Sequence, residues 1–407
     1  MAMTIDTPLP RRAFGYALTA IAVVVMMAGA SAPSPFYPTL EERLGIGPVD
    51  ITVVFAVYAV VLLATLLTAG SLSDHIGRRP VISAGFAILA VSLILLWSAG
   101  SGGMLIAARA VQGAASGLLL SALSATVTDF APPSNPRSAS VVNSVTPMFG
   151  LALGAVFAGA LLDLSATPDE FVFLPLAAAY VVIALAIWLA PETSAREEGW
   201  RRSLRPRVAV PRPVRRVFAL SIPVLVASWG TGGLFLSLGA SIVHAELHVD
   251  GHLGQGLVIG VVPLAGAVAV LLLRNSSPRT AVLYGASALA AGTALSLVGL
   301  ALASFPLYLV AVLVVGTGFG TAFMGTIGSL IPAVAVHQRA ELFAALYTVC
   351  YLAFSIPAVV AGAFTATVGL PATVLVYGIV VALAAASAVV LRLRTSRAAR
   401  PAPGDAA

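Results

Sequence analysis

Apolar residues along this chain come in blocks of about twenty, the length that carries an α-helix across a hydrocarbon core. Short polar stretches separate them. Twelve blocks are predicted as spans: 13–33, 51–71, 80–99, 104–130, 138–162, 171–190, 217–240, 254–273, 280–303, 306–331, 340–365 and 371–392. Glycine and proline recur inside them, as membrane helices tolerate. A shift of 203 residues lays Ala155-Val-Phe-Ala-Gly159-Ala-Leu161 on Ala358-Val-Val-Ala-Gly362-Ala-Phe364. The same shift lays Gly113 on Gly316 and Gly117 on Gly320. Both glycine pairs read G-x-x-x-G, which lets helix backbones approach closely. A parallel repeat of six spans predicts an all-α integral membrane fold: two six-helix bundles related by a pseudo-twofold axis along the membrane normal. The expected division is an N-terminal bundle over 1–195, a linker over 196–216, a C-terminal bundle over 217–396 and a disordered tail over 397–407.

Composition agrees. Of 407 residues, 59% are hydrophobic and 9% charged, with mean hydropathy +1.01. Soluble domains carry about 25% charged residues, so a soluble globule is excluded. The positive balance is entirely arginine, and apart from Arg109 the arginines sit at span ends or in the central linker. The pI near 9.9 therefore points to a membrane surface rather than nucleic acid. Arg11, Arg12, Arg78, Arg79, Arg137, the cluster Arg196–Arg216, Arg274, Arg279, Arg339 and Arg392–Arg400 fall on one side of a twelve-span chain. The other side has Arg43 among Glu41, Glu42, Asp50, Asp163, Asp169, Glu170, Glu246 and Asp250. This bias places both termini in the cytoplasm. Pro206, Pro211 and Pro213 forbid one continuous helix in the linker, which reads as a strap on an anionic membrane face. Arg11-Arg12, an apolar stretch and Ala28-Gly-Ala30-Ser-Ala32 also fit an export signal. A first span with a basic flank fits better, because cleavage would leave an odd number of spans. Cys350, the single cysteine, lies in an apolar run and reads as a small buried hydrophobe.

The shortest charged interruption is Gly70-Ser-Leu72-Ser-Asp74-His75-Ile-Gly77-Arg78-Arg79-Pro80. Asp74 and Arg78 are spaced to meet on one helical face. Gly77 permits a tight reversal, and Pro80 suits the first turn of the next helix. The stretch resembles the loop between the second and third helices of the major facilitator superfamily, G-x-L-x-D-x-x-G-R-[RK]. Gly70, Leu72, Asp74, Gly77, Arg78 and Arg79 match, whereas His75 stands where the family usually has arginine. The run Arg109-Ala-Val-Gln112-Gly113 resembles the family's fourth-helix motif, R-x-x-Q-G. There the arginine anchors the first helix and is implicated in proton-linked transport. An intramembrane arginine costs about 2.5 kcal/mol or more and normally faces a bundle interior; snorkelling at an interface is the alternative. The resemblance also implies that Asp74, Arg78 and Asp129 form a charge cluster. In the outward-open state that cluster locks the N-terminal half against the start of the eleventh helix, near Arg339 and Glu341. In the fifth span, Gly150, Gly154 and Gly159 match the exporter pattern G-x-x-x-G-P-x-x-G-G. Ala155 and Ala158 replace a proline and a glycine there, so helix packing explains these glycines equally well.

Other polar residues are less specific. His244, His248 and His252 recur every four residues, but Gly251 interrupts them in an outer loop, so they are read as a polar loop and no metal is assigned. Pro33, Pro35 and Pro357 are expected kinks. Tyr58, Asn143, Trp229, Tyr347 and Tyr351 are candidates for a substrate cavity, with ordinary packing as the alternative for each. No Asp or Glu falls near the middle of a span. A cation there would lack a partner for its charge. The expected function is secondary transport of a small molecule by alternating access, as proton-linked efflux of a neutral or anionic drug-like compound or metabolite. Import of sugars or organic anions, or a non-transporting sensor or scaffold, are the alternatives. No nucleotide-binding P-loop and no acid–base or metal cluster marks an enzyme. No cofactor is expected. The expected partners are a small-molecule substrate, the lipid bilayer of the plasma membrane and protons as coupling ion, with no nucleic acid and a monomeric chain.

Overall fold

The computed structural model describes residues 9–335 and 338–398, so the expected tail lies almost wholly outside the described residues. The described chain is nearly all helical. It runs α1 (Leu9–Ser31), α2 (Tyr37–Leu44), α3 (Pro48–Ala69), α4 (Leu72–Ile76), α5 (Arg78–Trp97), α6 (Gly102–Phe130), α7 (Ser138–Leu164), α8 (Pro168–Ala186), α9 (Trp200–Ser203), α10 (Arg215–Leu247), α11 (His252–Leu273), α12 (Pro278–Ala301), α13 (Phe305–Leu330), α14 (Arg339–Val368) and α15 (Leu370–Ala398). Twelve segments are long and apolar enough to cross a membrane. All coincide with the expected blocks, and most extend further at their ends.

Local chemistry sets the helix ends. Ser101 Oγ accepts the Met104 N–H at 3.3 Å, and Ser277 Oγ accepts the Thr280 N–H at 3.1 Å. Gly77 separates α4 from α5 at φ 111°, a conformation that side chains disfavour. The seventh span departs most from expectation: α10 ends at Leu247 rather than near 240. Ile242, Val243 and Leu247 are buried and carry the apolar face onward, and His248 closes the helix at φ 53°. His244 therefore lies on α10 and not in a loop.

One hydrophobic core draws on residues from Ala22 to Ala190, and another on residues from Val224 to Ala388. Their packing partners repeat. Helix α3 packs on α6 as α11 packs on α13, α5 on α8 as α12 on α15, and α1 on α7 as α10 on α14. Within a bilayer, helices associate mainly through close packing of small residues. A Cβ at Gly117 would lie 2.5 Å from the Leu62 carbonyl oxygen, and one at Gly320 would lie 2.6 Å from that of Gly266. Gly113 meets the α3 backbone at Tyr58, as Gly316 meets the α11 backbone at Val262. Tyr180 donates to the Met26 carbonyl at 3.2 Å, and Tyr377 donates to that of Gly230 at 2.7 Å. The repeat read in the sequence is thus a repeat of contacts.

The bundles meet through α7 against α11 and α3 against α14. The closest approaches lie near the ends opposite the arginine-rich loops. A Cβ on Gly159 would fall 3.1 Å from Gly256 Cα, and Gly362 abuts the Thr52 side chain. Deeper in, the Phe55 and Phe354 rings sit 4.8 Å apart. On the arginine-rich face a strap joins the bundles. Glu197 N–H donates to the Asp74 carbonyl at 3.0 Å, and His75 Nδ1 lies 2.8 Å from the Glu197 carbonyl. Further along, the Ala209 N–H reaches the Glu341 carbonyl at 3.4 Å.

Candidate functional site

Three polar or aromatic groups stand out, and the first surrounds Arg109. Residues Arg109 and Gln112 are one helical turn apart on α6 and point together at α1. Gln112 Nε2 donates to the Gly29 carbonyl at 2.8 Å, and Arg109 Nη1 donates to the Ala30 carbonyl at 3.2 Å and to Gln112 Oε1 at 2.5 Å. The guanidinium lies 4.6 Å from the centre of the Tyr58 ring, a cation–π contact strengthened by desolvation. Arg109 is 1% exposed, and its Nε finds no acceptor among the described residues. Its reading as an interior residue matches this placement, and nothing here resembles snorkelling. Its charge is enclosed by helix carbonyls and a phenol ring. Tyr58 therefore covers the arginine on one side and belongs to the inter-bundle apolar cluster on the other.

The second group lies on the arginine-rich face. Asp74, Arg78 and Asp129 come together there: Arg78 pairs with Asp74 and, through Nε at 3.3 Å, with Asp129. Arg78 Nη1 also donates to Ser73 Oγ at 2.6 Å. The sequence reading missed Glu192. Its carboxylate accepts the N–H groups of Arg78 at 2.8 Å, Arg79 at 3.2 Å, and Thr193 and Ser194 at 3.0 Å each. It thereby caps the start of α5, where Gly77 offers no side chain. Thr193 Oγ1 donates to Asp129 at 2.7 Å and closes the ring of contacts. Arg79 reaches the Ala190 carbonyl at 3.1 Å and stacks 5.1 Å from the Trp188 ring centre. Gly70 closes α3 just before this loop. All these contacts stay within the first bundle and its exit. No hydrogen bond or ion pair joins Asp74 to Arg339 or Glu341 among the described residues.

The third group is aromatic and belongs to the second bundle. Around Trp229 on α10 stand Tyr351 at 5.1 Å, Phe323 at 5.6 Å, Phe354 at 5.9 Å and Phe319 at 6.5 Å between ring centres. Tyr347 continues the array, 6.1 Å from Tyr351. The indole N–H of Trp229 is buried without an acceptor among the described residues. Trp229, Tyr347 and Tyr351 are three of the five residues named as cavity candidates; Phe319, Phe323 and Phe354 were not foreseen. The four-residue spacing of Phe319 and Phe323 in the sequence was the available signal. Asn143 does not join them, because its amide donates to the Ser124 carbonyl at 3.1 Å on α6. Gly150 and Gly154 pack on α1, which accounts for them by helix packing alone.

The loop histidines separate. His248 closes α10, and His252 at the start of α11 faces Asp163 of α7, with Nδ1 2.8 Å from its carboxylate.

A Major Facilitator Superfamily profile matches residues 19–357. Among curated proteins, the chain is similar to the cephamycin export protein CmcT of Amycolatopsis lactamdurans, 29% identical over 58% of this chain and 43% of that one. It is also similar to the multidrug efflux pump LfrA of Mycolicibacterium smegmatis, 38% identical over 26% of this chain and 21% of that one. The matched stretches cover between 21% and 43% of the curated relatives' lengths. Among solved structures, a bacterial homolog of the human lysosomal transporter Spinster superposes with TM-score 0.74 at 14% identity, over 98% of this chain and 100% of that one.

Proposed function

The chain belongs to the Major Facilitator Superfamily and is a multi-pass membrane transporter, not an enzyme; on that premise we propose that it exports a neutral or anionic drug-like compound or metabolite. The observation that carries the substrate charge is the distribution of buried charge. Among the buried described residues Arg109 is the only charged side chain, and it is positive. A cation entering between the bundles would meet aromatic rings but no carboxylate, so no opposite charge would offset its desolvation. A neutral molecule avoids that cost, an anion has it offset by the field of Arg109, and either gains ring stacking at Trp229, Tyr347 and Tyr351. The names of the relatives support the direction, export. Arg109 contributes field rather than contact, since Tyr58 and the α1 carbonyls enclose it.

On this reading the transporter works as a monomer in the plasma membrane, with both termini in the cytoplasm. The cluster Asp74, Arg78 and Asp129 braces the first bundle on the cytoplasmic face. No carboxylate lies at mid-span among the described residues, which leaves the edge acids Asp74, Asp129 and Glu341 for proton coupling, with uncoupled transport as the alternative. Competition in vesicles with an imposed pH gradient tests the reading, using size-matched cationic, neutral and anionic aromatic compounds. Neutral and anionic competitors are expected to inhibit flux at least tenfold better than the cation, a difference of about 1.4 kcal/mol. Preference for the cation refutes the charge assignment, and uptake into cells rather than export refutes the direction.

A further inference from the structure

Among the described residues, most contacts between the bundles are apolar or made by small residues, and Asp163 is the exception. It ends α7 in the first bundle and reaches the start of α11 in the second. Its Oδ1 accepts the His252 N–H at 2.9 Å and lies 2.8 Å from His252 Nδ1, while Oδ2 accepts the Leu253 N–H at 2.8 Å. The first N–H groups of a helix have no partner within it. The residue before α11 is Gly251, which has no side chain to supply one. The cap of α11 therefore comes from the other bundle.

The pseudo-symmetric contact shows that this is not required by the fold. At the matching place α3 caps itself: Asp50 accepts the Gly47 N–H at 2.9 Å. The position matching Asp163, shifted by 203 residues, is Ala366 on α14. One seam between the bundles is thus held by packing at Thr52 and Gly362, and the other by packing at Gly159 and Gly256 plus a carboxylate.

We propose that Asp163 is a state-specific positioning residue: it caps α11 only while this face of the transporter is closed, and so biases the molecule toward the closed-outside state. The proposal rests on the alternating-access reading. When the tips of α7 and α11 part, the N–H groups of His252 and Leu253 exchange a carboxylate for water. A contact present in one state shifts the population by its full differential strength.

Spin-label distances in purified protein test this without any substrate. One label pair, at positions 49 and 368, reports the outer face. A second, at positions 135 and 275, reports the arginine-rich face. Both are placed in a Cys350→Ala background. Asp163→Ala is expected to shift the closed-to-open ratio at the outer face roughly tenfold toward open, the size of a lost cap. Asp163→Asn should give a smaller shift, and His252→Ala the smallest, since both backbone bonds survive it. The arginine-rich face must close in step. A merely structural cap would lower the melting temperature and leave both distance distributions in place. Unchanged distributions in Asp163→Ala and Asp163→Asn overturn the proposal. Opposite shifts at the two faces support it, even where vesicle flux disproves export of the substrate class above.

Discussion

The two bundles share a frame and differ in what they place inside it. At the position of Arg109 the second bundle has Val312, and at Gln112 it has Val315; both valines are buried. Conversely, the rings of Phe319, Phe323, Tyr351 and Phe354 stand where the first bundle has Ser116, Leu120, Met148 and Leu151. One bundle buries a charge against helix carbonyls, and the other gathers aromatic faces. The glycine contacts and the tyrosine hydrogen bonds are common to both, so packing fixes the frame and leaves the polar content free to diverge. The difference also suits a division of labour. A buried, hydrogen-bonded guanidinium rigidifies its surroundings, whereas stacked rings present adaptable apolar surface.

Exchanging content between the frames is the strongest way to break this comparison. Val312→Arg would bury a charge with no carbonyl or ring arranged for it, at a cost of several kcal/mol. It should abolish the monodisperse peak in size-exclusion chromatography. Arg109→Leu leaves the Ala30 carbonyl and Gln112 without their partner, which should cost about 3 kcal/mol. That variant should still insert, with a clearly lowered melting temperature. Equal behaviour of the two variants would mean that the bundles are more alike inside than the distances imply.

A smaller effect sharpens the comparison on the arginine-rich face. Helix α5 is capped by Glu192 from beyond α8, and its counterpart α12 by Ser277, the residue immediately before it. Glu192→Gln should destabilise by about 2 kcal/mol, because a charged acceptor of four N–H groups becomes a neutral one. Ser277→Ala should cost about 1 kcal/mol. Chemical denaturation of each variant in detergent gives the order. The smallest effect tests what the bundles share. Tyr180→Phe and Tyr377→Phe each delete one hydrogen bond to the first helix of their bundle. Both should lose about 1 kcal/mol, and unequal melting shifts would show that the shared frame is not shared energetically.

The spans and their repeat were legible because hydropathy and glycine spacing are properties of contiguous sequence. So was the pairing of Asp74 with Arg78, which are one turn apart. Glu192 was not legible, because the partners that make it a cap of α5, the N–H groups of Arg78 and Arg79, are more than a hundred residues away in sequence, and no residue type announces them. Asp163 was read only as an acid flanking a span for the same reason. The aromatic group was half visible: Tyr347 and Tyr351 share a helix face, but their meeting with Trp229 and Phe323 depends on how three helices cross. His244 was misplaced because polarity suggested a loop where buried Ile242, Val243 and Leu247 prolong the helix.

The strap has a mechanical consequence. It is fastened to the first bundle where Glu197 meets Asp74, and to the second where Ala209 meets Glu341. The first bundle also holds it at Ser203, whose carbonyl accepts from Ser71 Oγ at 3.5 Å, so the free run to Ala209 is short, about 20 Å when fully stretched. Any separation of the bundles on the arginine-rich face has to be taken up in that short run or by slipping one of its knots.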